Sequence, residues 1–396
     1  MKAGWNLVQL GELTEPSSPI TYGVIKPGEE GDVLFVRGGD ISDGNIRINQ
    51  LRTITREISE QYSRTLLKGG ELLMCLVGQP GQVAIAPHHL AGANIARQVG
   101  LIRLQSNLNA EFIKYFLQSP DGQQKLGAQT GGSVQQVINL SDLRTIEIPL
   151  PSAAEQQRIV AILDEALAAI SAARANAEQN RQNARALFES YLQSVFSQRG
   201  DGWVEKRLEE IGTTQTGSTP KSSDQSSYGN FIPFVKPGDF NPDGSLNYEN
   251  GGLSETGTAT ARKVQAGSAL MVCIGATIGK AGFCDRAIAT NQQINSFTPN
   301  ELYCHKFIYY QMITHGFQQR VIHASGQATL PIINKSKWSA LTVAVPPTLD
   351  EQHKIVGRLD ALRNETQRLE SLYQRKIAAL DELKQSLLQQ AFSGQL

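Results

Sequence analysis

The sequence predicts an α+β protein built twice over: two similar α/β globules separated by two long helices that form an antiparallel coiled coil, with internal pseudo-twofold symmetry. Three observations carry this. The second half of the 396-residue chain echoes the first at a spacing of roughly 200 residues. Each copy opens on about 150 residues of short β-rich runs punctuated by Gly and Pro. Each closes on roughly 40 to 50 residues rich in Ala, Leu, Gln, Glu and Arg, a helix-forming composition.

The echoes run in order. Gly4-Trp5 returns as Gly202-Trp203, Val36-Arg37-Gly38-Gly39-Asp40 as Val235-Lys236-Pro237-Gly238-Asp239, and Asp43-Gly44 as Asp243-Gly244. The segment Gly70 to Gly78 matches Gly267 to Gly275, Gly131 to Asn139 matches Gly326 to Asn334, and Pro151 to Asp164 parallels Pro347 to Asp360. A solenoid is excluded, because its repeats run ~20 to 50 residues. The chain divides into a first globule (1–151), a first arm (152–199), a second globule (200–347) and a second arm (348–396).

Strands are expected at Val33–Val36, Leu72–Val77, Val99–Leu104 and Ile146–Ile148, with one short helix per globule, Ala110–Gln118 and Cys304–Thr314. In the first arm, steps of four and three residues select Ile159, Leu163, Ala166, Ile170, Ala173, Ala177, Asn180, Ala184, Leu187 and Tyr191, a heptad seam. The same register returns in the second arm at Ile355, Leu359, Leu362, Thr366, Leu369, Tyr373, Lys376, Leu380, Leu383 and Leu387. Ser152 before Glu155, and Thr348 before Glu351, have capping-box spacing. Small residues in one seam and bulky ones in the other suit each other, which favours one intramolecular pair over two helices docked separately. An arm of this length spans on the order of 60 to 70 Å. Globules held that far apart suit a long periodic ligand such as duplex DNA.

Lys plus Arg is 37 and Asp plus Glu is 37, which excludes a polycationic coat but leaves room for a local basic groove. Residues 1–150 alone carry 13 basic and 14 acidic side chains, so neutrality belongs to each globule. Met1 to Leu10 lacks the apolar stretch of a secretory signal, no apolar run approaches the ~20 residues of a membrane span, and the four cysteines have no CxxC spacing. Cys75 and Cys273 lie in apolar strand-like runs, as small buried hydrophobes. A reduced, cytoplasmic setting without a membrane is expected.

Catalytic motifs are missing. Gly275-Ala276-Thr277-Ile278-Gly279-Lys280-Ala281 is one residue short of a phosphate loop and ends on Ala where Ser or Thr would meet magnesium, so a turn between strands is expected. Val345-Pro346-Pro347 lacks the Asn or Asp of a methyltransferase loop, and His88-His89 and Cys304-His305 lack zinc spacing, so no metal site is expected. What remains is polar loop chemistry. The first globule offers Lys26, Arg37, Arg97, Gln98, Gln129, Ser133, Gln135 and Gln136. The second offers Gln215, Ser218, Thr219, Lys221, Lys236, Lys280, Asn291, Gln292, Gln293, Gln327 and Thr329. Arg, Gln and Asn read base edges, while Lys, Ser and Thr suit phosphates.

The ordered set Gly-Trp, Thr216-Gly217-Ser218-Thr219-Pro220, Ile232 to Asp239, Gly275 to Lys280, Asn291-Gln292-Gln293, Pro346-Pro347 before Glu351-Gln352, and the ending Ala391-Phe392-Ser393-Gly394 resembles a type I restriction-modification specificity subunit. The resemblance covers both copies and both arms. The first copy departs from it at Ile20 to Gly28, which has no TGxTP segment. The resemblance implies two target-recognition domains, each reading one half of a bipartite site in double-stranded DNA, with the arms as spacer and docking platform. It implies two methyltransferase subunits as partners, and an endonuclease or translocase in the full assembly. It implies no active site and no cofactor on this chain, the complex using S-adenosylmethionine and, with the endonuclease, ATP and Mg. A coiled-coil adaptor without base readout and a fused DNA methyltransferase are the competing expectations.

Overall fold

The computed structural model describes residues 4–131, 136–221, 223–326 and 331–396. The chain forms two compact units, Met1–Glu178 with Gln374–Leu396, and Gln179–Tyr373. Each unit therefore combines one globule with one segment from each long helix, Ala153–Gln198 and Leu349–Ser393.

The first unit is built on a four-stranded antiparallel sheet in the order Thr21–Tyr22, Val99–Ile102, Leu72–Cys75, Val83–Ile85. A three-stranded sheet in the order Arg52–Ile54, Val33–Val36, Asn94–Ile95 accompanies it, its last pair parallel. The second unit repeats the plan with Gly212–Thr216, Ile294–Pro299, Ala269–Val272 and Ala281–Phe283. Its companion sheet is Gly252–Leu253, Tyr228–Val235, Ile288–Thr290 and Lys263–Val264. Leu72–Cys75 and Ala269–Val272 are buried at every position, which is why both read as unbroken apolar runs. Burial lifts the thiols of Cys273 and Cys284 to about 12 and about 11, as befits packing groups.

Where one short helix was expected there are two in succession, Ala110–Gln118 then Pro120–Ala128, and His305–Met312 then His315–Ser325. Glycines and glutamines mask the second helix of the first pair in sequence. Its start is nonetheless marked by Ser119, whose Oγ accepts from Gly122 N at 3.1 Å, followed by Pro120 at the first helical position. These helices carry the core, and the long helices complete it. In the first unit Phe392 packs edge-on against Phe112 and Phe116, with ring centroids 5.2 and 5.3 Å away. In the second, Phe196 packs on Phe307 at 5.2 Å and Trp203 at 6.3 Å. Aromatic contacts of this kind add ~0.5 to 1.5 kcal/mol beyond area burial.

Both long helices start where the capping spacing puts them. Ser152 Oγ accepts from Glu155 N at 3.4 Å and Thr348 Oγ1 from Glu351 N at 3.3 Å. The Gln that follows each Glu is buried and reaches back to the globule: Gln156 Oε1 accepts from Asn109 N at 3.2 Å, and Gln352 Oε1 from Cys304 N at 2.7 Å.

Within each unit the two helix segments run antiparallel. In the first, Arg158 Nη2 donates to Leu396 O at 2.8 Å while Arg174 Nε pairs with Asp381 at 2.9 Å. In the second, Arg185 faces Glu370 at 3.8 Å. The seam holds at Ile159, Leu163, Ile170 and Ala177, all buried, and at Leu359, with Ile355, Leu369, Tyr373 and Leu380 half-buried. It fails at Leu187, which is 53% exposed, and at its counterpart Leu383, 46% exposed. From Ala184 the apolar face steps by four, through Phe188, Leu192 and Phe196, and the second helix ends on the same step from Leu388 to Phe392. A helix with 3.6 residues per turn drifts against a 3.5-residue repeat by about 20° per heptad, and the last turns must face a globule rather than only a partner helix.

Candidate nucleic-acid interface

Each globule gathers polar turns at one end of its four-stranded sheet. In the second, the strand Gly212–Thr216 runs into the loop 217–221, which lies on the turn Asn291-Gln292-Gln293 between two strands. Gly217 N donates to Ile294 O at 3.0 Å and Ser218 N to Thr290 O at 2.9 Å. Only glycine fits at 217, because a Cβ there would stand 2.2 Å from Asn291 O. The first globule has the same frame. Val24 N donates to Ile95 O at 2.8 Å, and a Cβ on Gly23 would stand 1.8 Å from that oxygen. Gln98 O accepts from Leu76 N and Gln293 O from Cys273 N, both at 2.7 Å. Ala96-Arg97-Gln98 thus occupies the place of Asn291-Gln292-Gln293. The first copy's departure from a TGxTP segment is a change of side chains on a shared hydrogen-bonded frame, with Val24 for Ser218 and Ile25 for Thr219.

Side chains on this frame differ between the globules. In the first, exposed Arg97 lines a cleft of ≈ 350 Å³ with Tyr22, Ile25, Val137 and Asn139, and Lys26 follows Ile25 on the exposed loop. Gln129 and Gln136, both exposed, flank the hairpin of Thr130–Gly131 with Val137–Ile138, and Gln136 O accepts from Gly78 N at 3.3 Å. In the second, Thr219 Oγ1 hydrogen-bonds Gln292 Oε1, Lys221 is exposed two residues on, and exposed Lys236 follows Val235, whose O accepts from Asn291 N at 3.3 Å. Ser133, Gln135, Gln327 and Thr329 lie outside the described residues.

Three of the expected residues hydrogen-bond within the chain. Arg37 forks onto buried Asp40, with Nη2 to Oδ1 at 2.7 Å and Nε to Oδ2 at 3.0 Å, and this hydrogen bonding holds its guanidinium above the ordinary arginine range. Asp239 fills the same role in the second globule by accepting from Lys236 N at 2.7 Å and Asn250 Nδ2 at 2.8 Å. There the ammonium of Lys236 stays outside, 5.5 Å from the Phe234 ring. The Val-Arg-Gly-Gly-Asp echo is accordingly a turn stapled by its aspartate. Gln215 donates to Lys263 O at 3.0 Å in a groove lined by Thr298 and Asn300, apart from the Asn291 turn. Lys280 ends the Gly275 to Gly279 turn, donates to Phe240 O at 3.3 Å, and lines a cleft with Tyr309 and Arg363.

Sequence reasoning missed Arg262. Its Nη1 donates to Thr216 O at 2.9 Å and its backbone N to Ser218 Oγ at 3.3 Å, bracing the 217–221 loop from 44 residues away. Tyr22 was missed too, being an aromatic at a position that holds Thr216 in the second copy. Among the described residues no group of three or more His, Cys, Asp or Glu is placed to hold a metal ion, and no helix is long and apolar enough to cross a membrane.

Donors and acceptors on rigid turns, with exposed cations around them, can recognise base edges and phosphates. Comparison with known proteins agrees with that chemistry. A solved chain described under "Structural basis underlying complex assembly and conformational transition of the type I R-M system" superposes with a TM-score of 0.81 at 22% identity, covering 100% of this chain and 99% of that one. The HsdS subunit from Thermoanaerobacter tengcongensis superposes with a TM-score of 0.60 at 22% identity, covering 100% and 98%. The type I restriction enzyme EcoBI specificity subunit of Escherichia coli is 30% identical over 210 residues, 52% of this chain and 43% of that protein. The MjaIX specificity subunit of Methanocaldococcus jannaschii is 26% identical over 247 residues, 57% and 55%. The matched stretches thus span about half the length of these curated relatives. The family described as "Type I restriction modification DNA specificity domain" matches residues 2–179 and again 200–378, and the chain belongs to it, with two copies of the domain.

Proposed function

We propose that this chain is the DNA sequence-recognition subunit of a type I restriction-modification complex, each globule reading one half of a bipartite site. The observation that carries the reading is the shared frame with different side chains: Gly23 and Gly217 hold equivalent loops against equivalent turns, which present Arg97 and Gln98 in one globule and Gln292 and Gln293 in the other. A duplicated frame with divergent polar side chains suits two unlike half-sites. The long helices set the distance between half-sites and dock two methyltransferase subunits, and Leu187 and Leu383 supply exposed apolar positions for such docking. The chain itself is non-catalytic and works in the cytoplasm. S-adenosylmethionine, and ATP with Mg where an endonuclease subunit is present, belong to the partners.

The test is co-purification with a methyltransferase followed by a methylome of cells carrying the complex. A bipartite methylation motif is expected, and exchanging residues 1–150 for those of a relative is expected to change one half and leave the other. An unchanged motif after the exchange refutes the assignment. Methyl transfer to DNA by the pure chain refutes the non-catalytic reading, and binding without sequence preference points to the adaptor.

A further inference from the structure

The turn at Asn291 fixes the polarity of the side chain beside it. The backbone N of Gln293 donates to Asn291 Oδ1 at 3.1 Å. An N–H can only donate, so this contact settles which end of the Asn291 amide is oxygen. The other end, Nδ2, is then a donor, and it lies 2.9 Å from Gln293 Oε1. Asn291 is 9% exposed, so it is fixed by its surroundings, and its own N is held by Val235 O at 3.3 Å. The consequence falls on Gln293, which is half-exposed. Its amide oxygen is turned inward onto Asn291. Its Nε2 has no hydrogen-bond partner among the described residues and is not buried.

The first globule lacks this device. Ala96 stands where Asn291 does, so no amide from that position holds the Gln98 oxygen, and among the described residues the Gln98 side chain makes no hydrogen bond and can offer both ends to a base. We infer that Gln293 reads its base as a hydrogen-bond donor alone, so that the second globule takes guanine or thymine rather than adenine or cytosine where Gln293 touches the site. In the major groove guanine shows O6 and N7 and thymine shows O4, all acceptors, whereas cytosine shows only an amine. Adenine has an acceptor at N7, but the amine beside it needs an outward-facing acceptor, and the Gln293 oxygen is turned inward onto Asn291. Asn291 is a positioning residue in this scheme, acting through Gln293. The inference rests on the turn being a base-reading surface.

Two substitutions invert the outward polarity by different routes. In Gln293→Glu the carboxylate still accepts from Asn291 but presents an acceptor outward. In Asn291→Asp the new carboxylate accepts from the Gln293 amide nitrogen, which turns the Gln293 oxygen outward without altering that residue. The full chain, in complex with the methyltransferase subunits that co-purify with it, is offered a pool of duplex DNA randomised across the half-site of the second globule, and bound molecules are sequenced. Both variants are expected to move preference at one and the same position from guanine or thymine toward adenine or cytosine, by about fivefold or more.

Selection of adenine or cytosine at that position by the unmodified chain overturns the inference, as does an unchanged preference with Gln293→Glu. A shift with Gln293→Glu but none with soluble, folded Asn291→Asp removes Asn291 as the polarising group and overturns it as well. If the unmodified complex enriches no sequence at all, the base-reading assignment itself fails, and the inference with it. Gln293→Glu sits at a half-exposed position and keeps its internal hydrogen bond, so the test stands even where a buried Asp at 291 is not tolerated.

Discussion

Asp360 ties two side chains, Tyr310 and Lys306, to the start of the second long helix. Tyr310 donates its hydroxyl to Oδ1, Lys306 pairs with the same carboxylate at 2.7 Å, and the Arg363 guanidinium lies 5.9 Å from the Tyr310 ring. The first unit has the simpler form, Tyr115 donating to Asp164 Oδ1 at 2.5 Å. Burial, and then the hydrogen bond to the carboxylate, push both phenols well above their ordinary value of 10.0. The sign follows from linkage: the folded state keeps these protons while the unfolded state loses them, so the contribution is complete below pH 10 and disappears as pH rises beyond it. Urea midpoints measured from pH 9 to 11 are expected to fall, and Tyr310→Phe is expected to flatten that fall; an equally steep fall in the variant removes Tyr310 as a source. The aspartates were legible in the repeat itself, since Pro151 to Asp164 parallels Pro347 to Asp360. Their tyrosines were not, because partners 49 and 50 residues away leave no periodic mark.

At the scale of elements, the strands and long helices were read well because each obeys one simple rule, either an unbroken apolar run between glycines or a 3.5-residue repeat. The second short helix of each pair and the last turns of the arms answer to two demands at once, and there the pattern misleads. Leu187 satisfies the heptad count yet faces solvent, while Phe188 one residue on packs at 6.2 Å from Tyr310. A matched pair of substitutions separates the two registers. Ala177→Glu, at 2% exposure, is expected to cost about 3 kcal/mol or more by burying an unpaired charge. Leu187→Glu is expected to change stability by no more than about 0.5 kcal/mol. Denaturation midpoints check both; similar losses from the two would restore the uninterrupted seam.

For the whole molecule, duplication was legible and its most consequential detail was not. The first long helix leaves from the first globule and ends in the core of the second, where Leu192 and Phe196 are buried. The second leaves from the second globule and ends in the core of the first, where Leu388, Ala391 and Phe392 are buried. Each globule therefore lacks part of its core until the other copy's helix supplies it. Leu192 and Phe196 correspond in the repeat to Leu388 and Phe392, so residues 1–199 carry both an incomplete core and the piece that completes an equivalent one. That fragment is expected to form a symmetric dimer, each copy placing its own Phe196 beside the other's Phe112 and Phe116. On the proposed function, such a dimer has two identical reading surfaces in place of two different ones, and it is expected to select an inverted repeat of the first half-site. Removing a buried Phe from a core of this kind costs ~3 to 5 kcal/mol, so Phe196→Ala is expected to leave the fragment monomeric and prone to aggregation. Sedimentation of the two fragments decides it: a stable, folded monomer of residues 1–199 would mean that the globule needs no borrowed helix.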